Sequence, residues 1–228
     1  MTQKEIIVAL AGNPNSGKTT VFNNLTCSHQ YVGNWPGVTV EKKEGKCSYQ
    51  GYSIRVVDLP GVYGLTAYAP DEVIARNFIV DQKPDAVVDI VDASNLERNL
   101  YLAIQILEMG APLIIALNMM DMAESKGYYI DIKALAQEIG APIVPMIASR
   151  NKGTDELIKE IIKIAEKKIK SNSFSLNYGI EAEIEISKLE ESILKNPLSQ
   201  KYPSRWLAVK LLEEDEEIIK KFQEAEVV

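Results

Sequence analysis

Eight consecutive residues, Gly12-Asn13-Pro14-Asn15-Ser16-Gly17-Lys18-Thr19, combine the residue types that hold a polyphosphate. Glycines at the first and sixth positions let backbone N–H groups close around phosphate oxygens without a Cβ in the way. A helix opening at the end of the loop turns its positive N-terminus toward the same anion. Lys18 is placed to reach the β- and γ-phosphates, and the Thr19 hydroxyl, with Thr20 next to it, to bind Mg²⁺. The fixed positions G-x-x-x-x-G-K-[ST] are all met, after an apolar strand-like run and before a helical one, so a chance glycine-rich turn is the weaker reading.

A phosphate loop does not choose a base. Asn118-Met119-Met120-Asp121 follows another apolar run and fits N-x-x-D. A carboxylate at Asp121 can accept in parallel from guanine N1–H and its 2-amino group, whereas adenine would leave it unpaired. The plainer alternative is that Asn118 and Asp121 cap the next helix. Ile147-Ala148-Ser149-Arg150 fits a third loop, closing over the base, with the Ser149 N–H near the guanine oxygen.

Asp58-Leu59-Pro60-Gly61 fits D-x-x-G, in which Asp58 holds Mg²⁺ through water and the Gly61 N–H meets the γ-phosphate; a Pro-Gly turn is compatible with the same residues. Between the two phosphate motifs a threonine must reach Mg²⁺ when the γ-phosphate is present. Thr39, in Trp35-Pro36-Gly37-Val38-Thr39, is best placed, because Thr26 belongs to the first helix. Loss of the γ-phosphate would release both segments. Val62 stands where a water-positioning Gln is often found, so hydrolysis needs another source of charge or is slow. His29, the single histidine, reads as a solvent-exposed loop residue.

The elements that must position these residues alternate. Strands are expected at 6–10, 38–49, 52–57, 86–91, 112–117 and 142–147, and helices at 19–26, 70–80, 96–109, 132–139 and 154–170. This order predicts a doubly wound α/β fold with a mostly parallel sheet, in which a hairpin at 38–57 supplies one antiparallel edge strand. The composition changes after Lys170. Ser171-Asn172-Ser173 reads as a linker, and 180–194 and 205–222 have helical spacing with no strand signal. The expected organisation is a nucleotide-binding domain at 1–170 and an all-α helical subdomain at 171–228.

Composition excludes several classes. Of 228 residues 46% are hydrophobic and 25% charged, which is globular rather than disordered. A net charge of −7 without a basic run argues against a nucleic-acid partner. Cys27 and Cys47 are not in a metal-ligand or redox spacing. The first residues do not read as a secretory signal, and no apolar stretch approaches the roughly 20 residues that span a bilayer, so the chain as given reads as soluble.

Taken together the motifs resemble one family, the N-terminal cytosolic domain of ferrous iron transport protein B. The resemblance rests on 12–19 continued by Thr20-Val21-Phe22-Asn23, on Gly33-Asn34-Trp35-Pro36-Gly37-Val38-Thr39-Val40-Glu41, on Val57-Asp58-Leu59-Pro60-Gly61-Val62-Tyr63, on Asn118-Met119-Met120-Asp121, and on Arg205-Trp206-Leu207-Ala208-Val209-Lys210-Leu211-Leu212. It implies a P-loop GTPase domain that binds GTP and GDP and regulates an Fe²⁺-carrying membrane region at the cytoplasmic face. It implies a helical segment that favours GDP. It also implies K⁺ as an activating ion held by Asn15 with carbonyls of Gly33 and Trp35. Gly64 departs from the family's usual Ser and puts the local shape of the second switch in question. Two other readings stay open, a free-standing GTPase of ribosome or RNA maturation and a module in which GTP is a structural ligand, as does assembly into a homo-oligomer. The transported metal is not legible in the residues themselves.

Overall fold

A computed structural model describes residues 5–26, 30–66, 68–167 and 176–226. Cys27, His29 and the expected linker and domain boundary at 170–173 lie outside them. Nine described α-helices surround one seven-stranded sheet of order β2-β3-β4-β1-β5-β6-β7. The strands are β1 (Glu5–Gly12), β2 (Gln30–Asn34), β3 (Glu41–Tyr49), β4 (Tyr52–Asp58), β5 (Ala86–Asp92), β6 (Leu113–Asn118) and β7 (Ile143–Pro145). The helices are α1 (Lys18–Thr26), α2 (Pro70–Gln82), α3 (Leu96–Glu108), α4 (Met120–Ser125), α5 (Ile132–Ile139), α6 (Thr154–Lys167), α7 (Ile180–Ile193), α8 (Ser204–Leu212) and α9 (Glu216–Glu226).

β1 explains the layering. Its near-continuous apolar run suits a strand covered on both faces. Val8 and Leu10 point to the side holding Val21, Phe22 and Leu25 of α1 and Leu157 and Ile161 of α6. Ala9 and Ala11 point to the side holding Ala75 and Phe78 of α2 and Leu102 and Ile106 of α3. β1 pairs in parallel with both β4 and β5, so the chain changes direction of winding at β1. Ligands of open α/β sheets bind at such a point, outside the carboxyl ends of the strands.

The mostly parallel sheet, antiparallel at one edge, matches expectation, with two local differences. β3 pairs antiparallel with β4, but β2 adds a further antiparallel pairing outside it. Residues 38–40, expected as strand, are instead part of a tight reversal in which the Trp35 N–H donates to the Val40 carbonyl at 2.9 Å and the Val38 N–H to the Trp35 carbonyl at 3.3 Å. Gly37, at φ +77°, takes the left-handed conformation this reversal needs.

The C-terminal segment is helical, as expected, but 205–222 is broken into α8 and α9. Glu214 turns the chain at φ +56°, and Asp215 caps α9 by accepting from the Ile218 N–H at 3.1 Å. Ile186, Ile193, Trp206, Leu207 and Ile218 join the apolar cluster on the α2/α3 side of the sheet. No helix among the described residues is long and apolar enough to cross a membrane.

Candidate nucleotide site

The loop from β1 to α1 has the geometry its glycines foretell. A Cβ on Gly12 would lie 2.9 Å from the Ile90 carbonyl oxygen, and one on Gly17 would collide with the Asn118 side chain. Asn15 and Gly17 take left-handed φ values of 68° and 92°, and Asn15 is exposed at the tip with Pro14. Asn13 and Ser16 are buried, and neither the Asn13 amide nor the Ser16 hydroxyl has a partner within the chain. Buried polar groups without partners in a phosphate-type loop point to a ligand that supplies them.

Asn118 does more than cap a helix. Its Nδ2 donates to the Ser16 carbonyl at 2.9 Å, and its Oδ1 accepts from the Ala148 N–H at 2.9 Å. Asn24 Nδ2 of α1 donates to the Ala148 carbonyl at 2.8 Å. One buried side chain thus ties the phosphate loop to the loop after β7. Met119, at φ +60°, turns the chain into α4, so Asp121 sits in that helix's first turn. Asp121 is partly exposed, its Oδ1 accepts from the Met122 N–H at 3.1 Å, and its Oδ2 lies 3.6 Å from Arg150 Nη2. The Met120 N–H donates to the Met146 carbonyl at 3.3 Å, and Ser149 is exposed beside buried Ala148. The structure therefore brings together Gly17, Asn118, Ala148, Asp121 and Arg150, residues spread over more than half the sequence.

Asp58 ends β4 next to β1. The Leu59 N–H donates to the Leu10 carbonyl at 2.9 Å and the Val62 N–H to the Gly12 carbonyl at 3.3 Å. Gly61 lies against Pro14. The D-x-x-G turn is therefore strapped to the phosphate loop through the backbone, with Pro60 half-buried between. Asp58 is buried and ion-paired with Lys18. Burial raises its carboxyl above the usual range, and the Lys18 ammonium opposes that rise. The Asp58 carboxylate and the hydroxyl of Thr19, exposed in the first turn of α1, are hard-oxygen donors of the type that suits Mg²⁺.

Val62 is buried in the core, which accounts for an apolar residue where a water-positioning amide was sought. Gly64 permits a close approach. The Leu65 N–H donates to Gln105 Oε1 at 2.7 Å, and a Cβ on Gly64 would lie 3.2 Å from both that oxygen and the Tyr101 ring. Before Thr39, Gly33 pairs opposite Lys42 in the β2–β3 ladder. Trp35 is buried edge-on to Phe78 of α2, with centroids 5.6 Å apart. Gly37, Val38 and Thr39 are exposed in the reversal that follows. The structure thus engages Gly33 and Trp35 with β3 and α2, while Asn15 stands at the tip of the phosphate loop.

A family model described as ferrous iron transport protein B matches residues 6–161, and one described as the FeoB cytosolic helical domain matches residues 178–228. The chain belongs to this family. It is 46% identical over 217 residues to the Fe(2+) transport protein A/Fe(2+) transporter FeoB fusion protein of Porphyromonas gingivalis, covering 93% of this chain and 26% of that one. The crystal structure of the cytosolic domain of the T. maritima FeoB in a GDP form superimposes with a TM-score of 0.92 at 40% identity, covering 97% of this chain and 87% of that one. The FeoB G-domain from Methanococcus jannaschii is 49% identical with a TM-score of 0.65, covering 72% of this chain and 99% of that one. The chain spans about a quarter of the length of the curated FeoB relatives it matches. It is a FeoB-type G domain, with a GTPase fold, followed by a FeoB-type helical segment.

Proposed function

We propose that this chain binds GTP and GDP, hydrolyses GTP slowly, and regulates an Fe²⁺-carrying membrane region at the cytoplasmic face of the cell membrane. The nucleotide part is assigned to 1–170 and the helical, GDP-favouring part to 171–228. The observation that carries this reading is the brace at Asn118, which holds the phosphate loop and both base loops in one piece. Asp121, partly exposed and only loosely paired with Arg150 at 3.6 Å, would turn its carboxylate to guanine, and Met119 and Met120 shape the turn that presents it.

Lys18 and Asp58 are paired with each other, so nucleotide entry exchanges partners. Phosphate oxygens would take the Lys18 ammonium, which would leave the Asp58 carboxylate available to help hold Mg²⁺. Thr19, Asp58 and, with a γ-phosphate, Thr39 would hold Mg²⁺, which neutralises phosphate charge when bound. Gly61 offers its N–H to the γ-phosphate, and the Ser149 N–H meets the base. With Val62 turned into the core, positive charge must come from elsewhere. Asn15 presents a neutral oxygen at the loop tip, and Gly33 and Trp35 offer carbonyls, a donor set that suits K⁺.

The test is GTP turnover in KCl and NaCl at equal ionic strength. Faster turnover in KCl, with the difference lost in Asn15→Ala while GDP binding persists, is the expected result. Equal rates in both salts would overturn the K⁺ assignment and require charge from a partner or a second copy.

A further inference from the structure

The Ala148 carbonyl and the Ser149 N–H are the two ends of one peptide unit. The described peptide bonds are all trans, so these two groups point in opposite directions from one rigid plane. Whatever grips the carbonyl therefore aims the N–H. Asn24, half-buried in the second turn of α1, donates from Nδ2 to that carbonyl at 2.8 Å. The Asn151 N–H donates to the same oxygen at 3.0 Å, and the Ala148 N–H donates to Asn118 Oδ1 at 2.9 Å. The loop after β7 is also closed on itself. Ile147 and Lys152 exchange backbone hydrogen bonds of 3.2 Å, the Arg150 N–H donates to the Ile147 carbonyl at 2.9 Å, and the Thr154 hydroxyl donates to Asn151 Oδ1 at 2.7 Å. A loop closed in this way keeps its own shape and can still tilt as a unit. Asn118 holds it from the N-x-x-D turn, and Asn24 holds it from the helix that opens with Lys18.

We propose that Asn24 is a positioning residue for base specificity, orienting the 148–149 peptide so that the Ser149 N–H meets an oxygen at position 6 of a purine. The inference rests on the nucleotide reading above and adds to it a residue outside the phosphate, N-x-x-D and base-loop motifs. Two effects act together. The Asn24 hydrogen bond fixes the tilt of the plane, and a carbonyl that accepts hydrogen bonds makes the N–H of the same amide a stronger donor. With the plane turned over, the Ala148 carbonyl would face the base, where it would repel the guanine oxygen and accept from the 6-amino group of adenine. That orientation loses the Asn24 hydrogen bond. Base reading is then divided, with Asp121 taking N1–H and the 2-amino group and Asn24 acting on position 6 through Ser149.

The experiment is calorimetric titration of the full chain, with Mg²⁺, by GDP, inosine diphosphate and 6-thioguanosine diphosphate. Inosine keeps the oxygen at position 6 and lacks the 2-amino group. 6-Thioguanosine keeps the 2-amino group and carries sulfur, a weak acceptor, in place of the oxygen. Asn24→Ala is expected to weaken GDP and inosine diphosphate alike, by roughly 3- to 10-fold, the worth of one neutral hydrogen bond. The thio analogue is expected to lose much less, so the preference for GDP over it shrinks. Asn24→Asp, which turns an acceptor toward the Ala148 carbonyl, is expected to lose more, in the same order among the three nucleotides. Equal losses for all three would make Asn24 a general support of the fold and overturn the proposal, as would unchanged GDP affinity in both variants. An unsubstituted chain with no preference for GDP over the thio analogue would also overturn it. A chain that binds none of the three would instead sink the nucleotide reading beneath it.

Discussion

Replacing Asn118 with Ala separates two jobs that the N-x-x-D motif merges. The Asn118 side chain is 3% exposed and makes two hydrogen bonds of 2.9 Å, to the Ser16 carbonyl and from the Ala148 N–H. Ala148 is also buried, so its N–H would lose a partner that water cannot readily replace. Stranding a buried polar group costs about 1–3 kcal/mol, so two give a loss of roughly 2–6 kcal/mol. That loss falls on the protein without nucleotide, because both bonds exist in its absence. Asp121 is partly exposed, and its ion pair with Arg150 spans 3.6 Å, so Asp121→Asn should leave stability almost unchanged. It should instead weaken GDP binding by about 2–5 kcal/mol and favour xanthine nucleotides. Urea melts of both variants without nucleotide, paired with calorimetry for GDP and XDP, measure each effect. A stable Asn118→Ala protein that only binds GDP weakly would refute the brace, and unchanged GDP binding in Asp121→Asn would refute the base contact.

Two further outcomes follow from single side chains. Asp89 lies in β5 opposite Ala11, fully buried with Oδ2 unpartnered, and burial pushes its carboxyl up to about 8. A raised folded pKa means stability that is complete below the unfolded carboxyl range and is lost as pH rises toward 8, at roughly 1.4 kcal/mol per pH unit. Asp89→Asn should remove that slope, gaining on the unsubstituted protein from pH 5 to 7.5 in urea melts; parallel pH profiles would contradict it. Thr39 is exposed, and its proposed contact with Mg²⁺ exists only with a γ-phosphate. Thr39→Ala should slow single-turnover GTP hydrolysis and leave GDP affinity intact, and equal losses for GDP and a GTP analogue would make Thr39 a static part of the pocket.

The sequence disclosed most of the fold because its signals are local. Apolar runs marked β1, β5 and β6, and the phosphate-loop spacing marked the bend between β1 and α1. What stayed hidden depends on residues far apart in the chain. Asn118 is 102 residues from Ser16 and 30 from Ala148, and nothing near it distinguishes a brace from a helix cap. Arg76 is ion-paired with Asp215, 139 residues away, so its burial has no local trace. β2 was missed because its five residues, Gln30 to Asn34, carry no apolar alternation and exist as a strand only through pairing with β3. The break between α8 and α9 is legible in the residues. Asp215 followed by Glu216 and Glu217 is a helix-start signal inside a run that otherwise keeps helical spacing. Val62 shows a different limit, since its apolar type is plain from the residues and only the fold shows that it faces the core.

The central claim is that Asp121 and the Asn118 brace make the phosphate loop a guanine-nucleotide site. Calorimetric titration of the chain with Mg²⁺ and GDP, and separately with Mg²⁺ and ADP, tests it most directly. The account predicts one-to-one binding of GDP and an ADP affinity weaker by a factor on the order of 10⁴. Comparable affinities for the two nucleotides would contradict it.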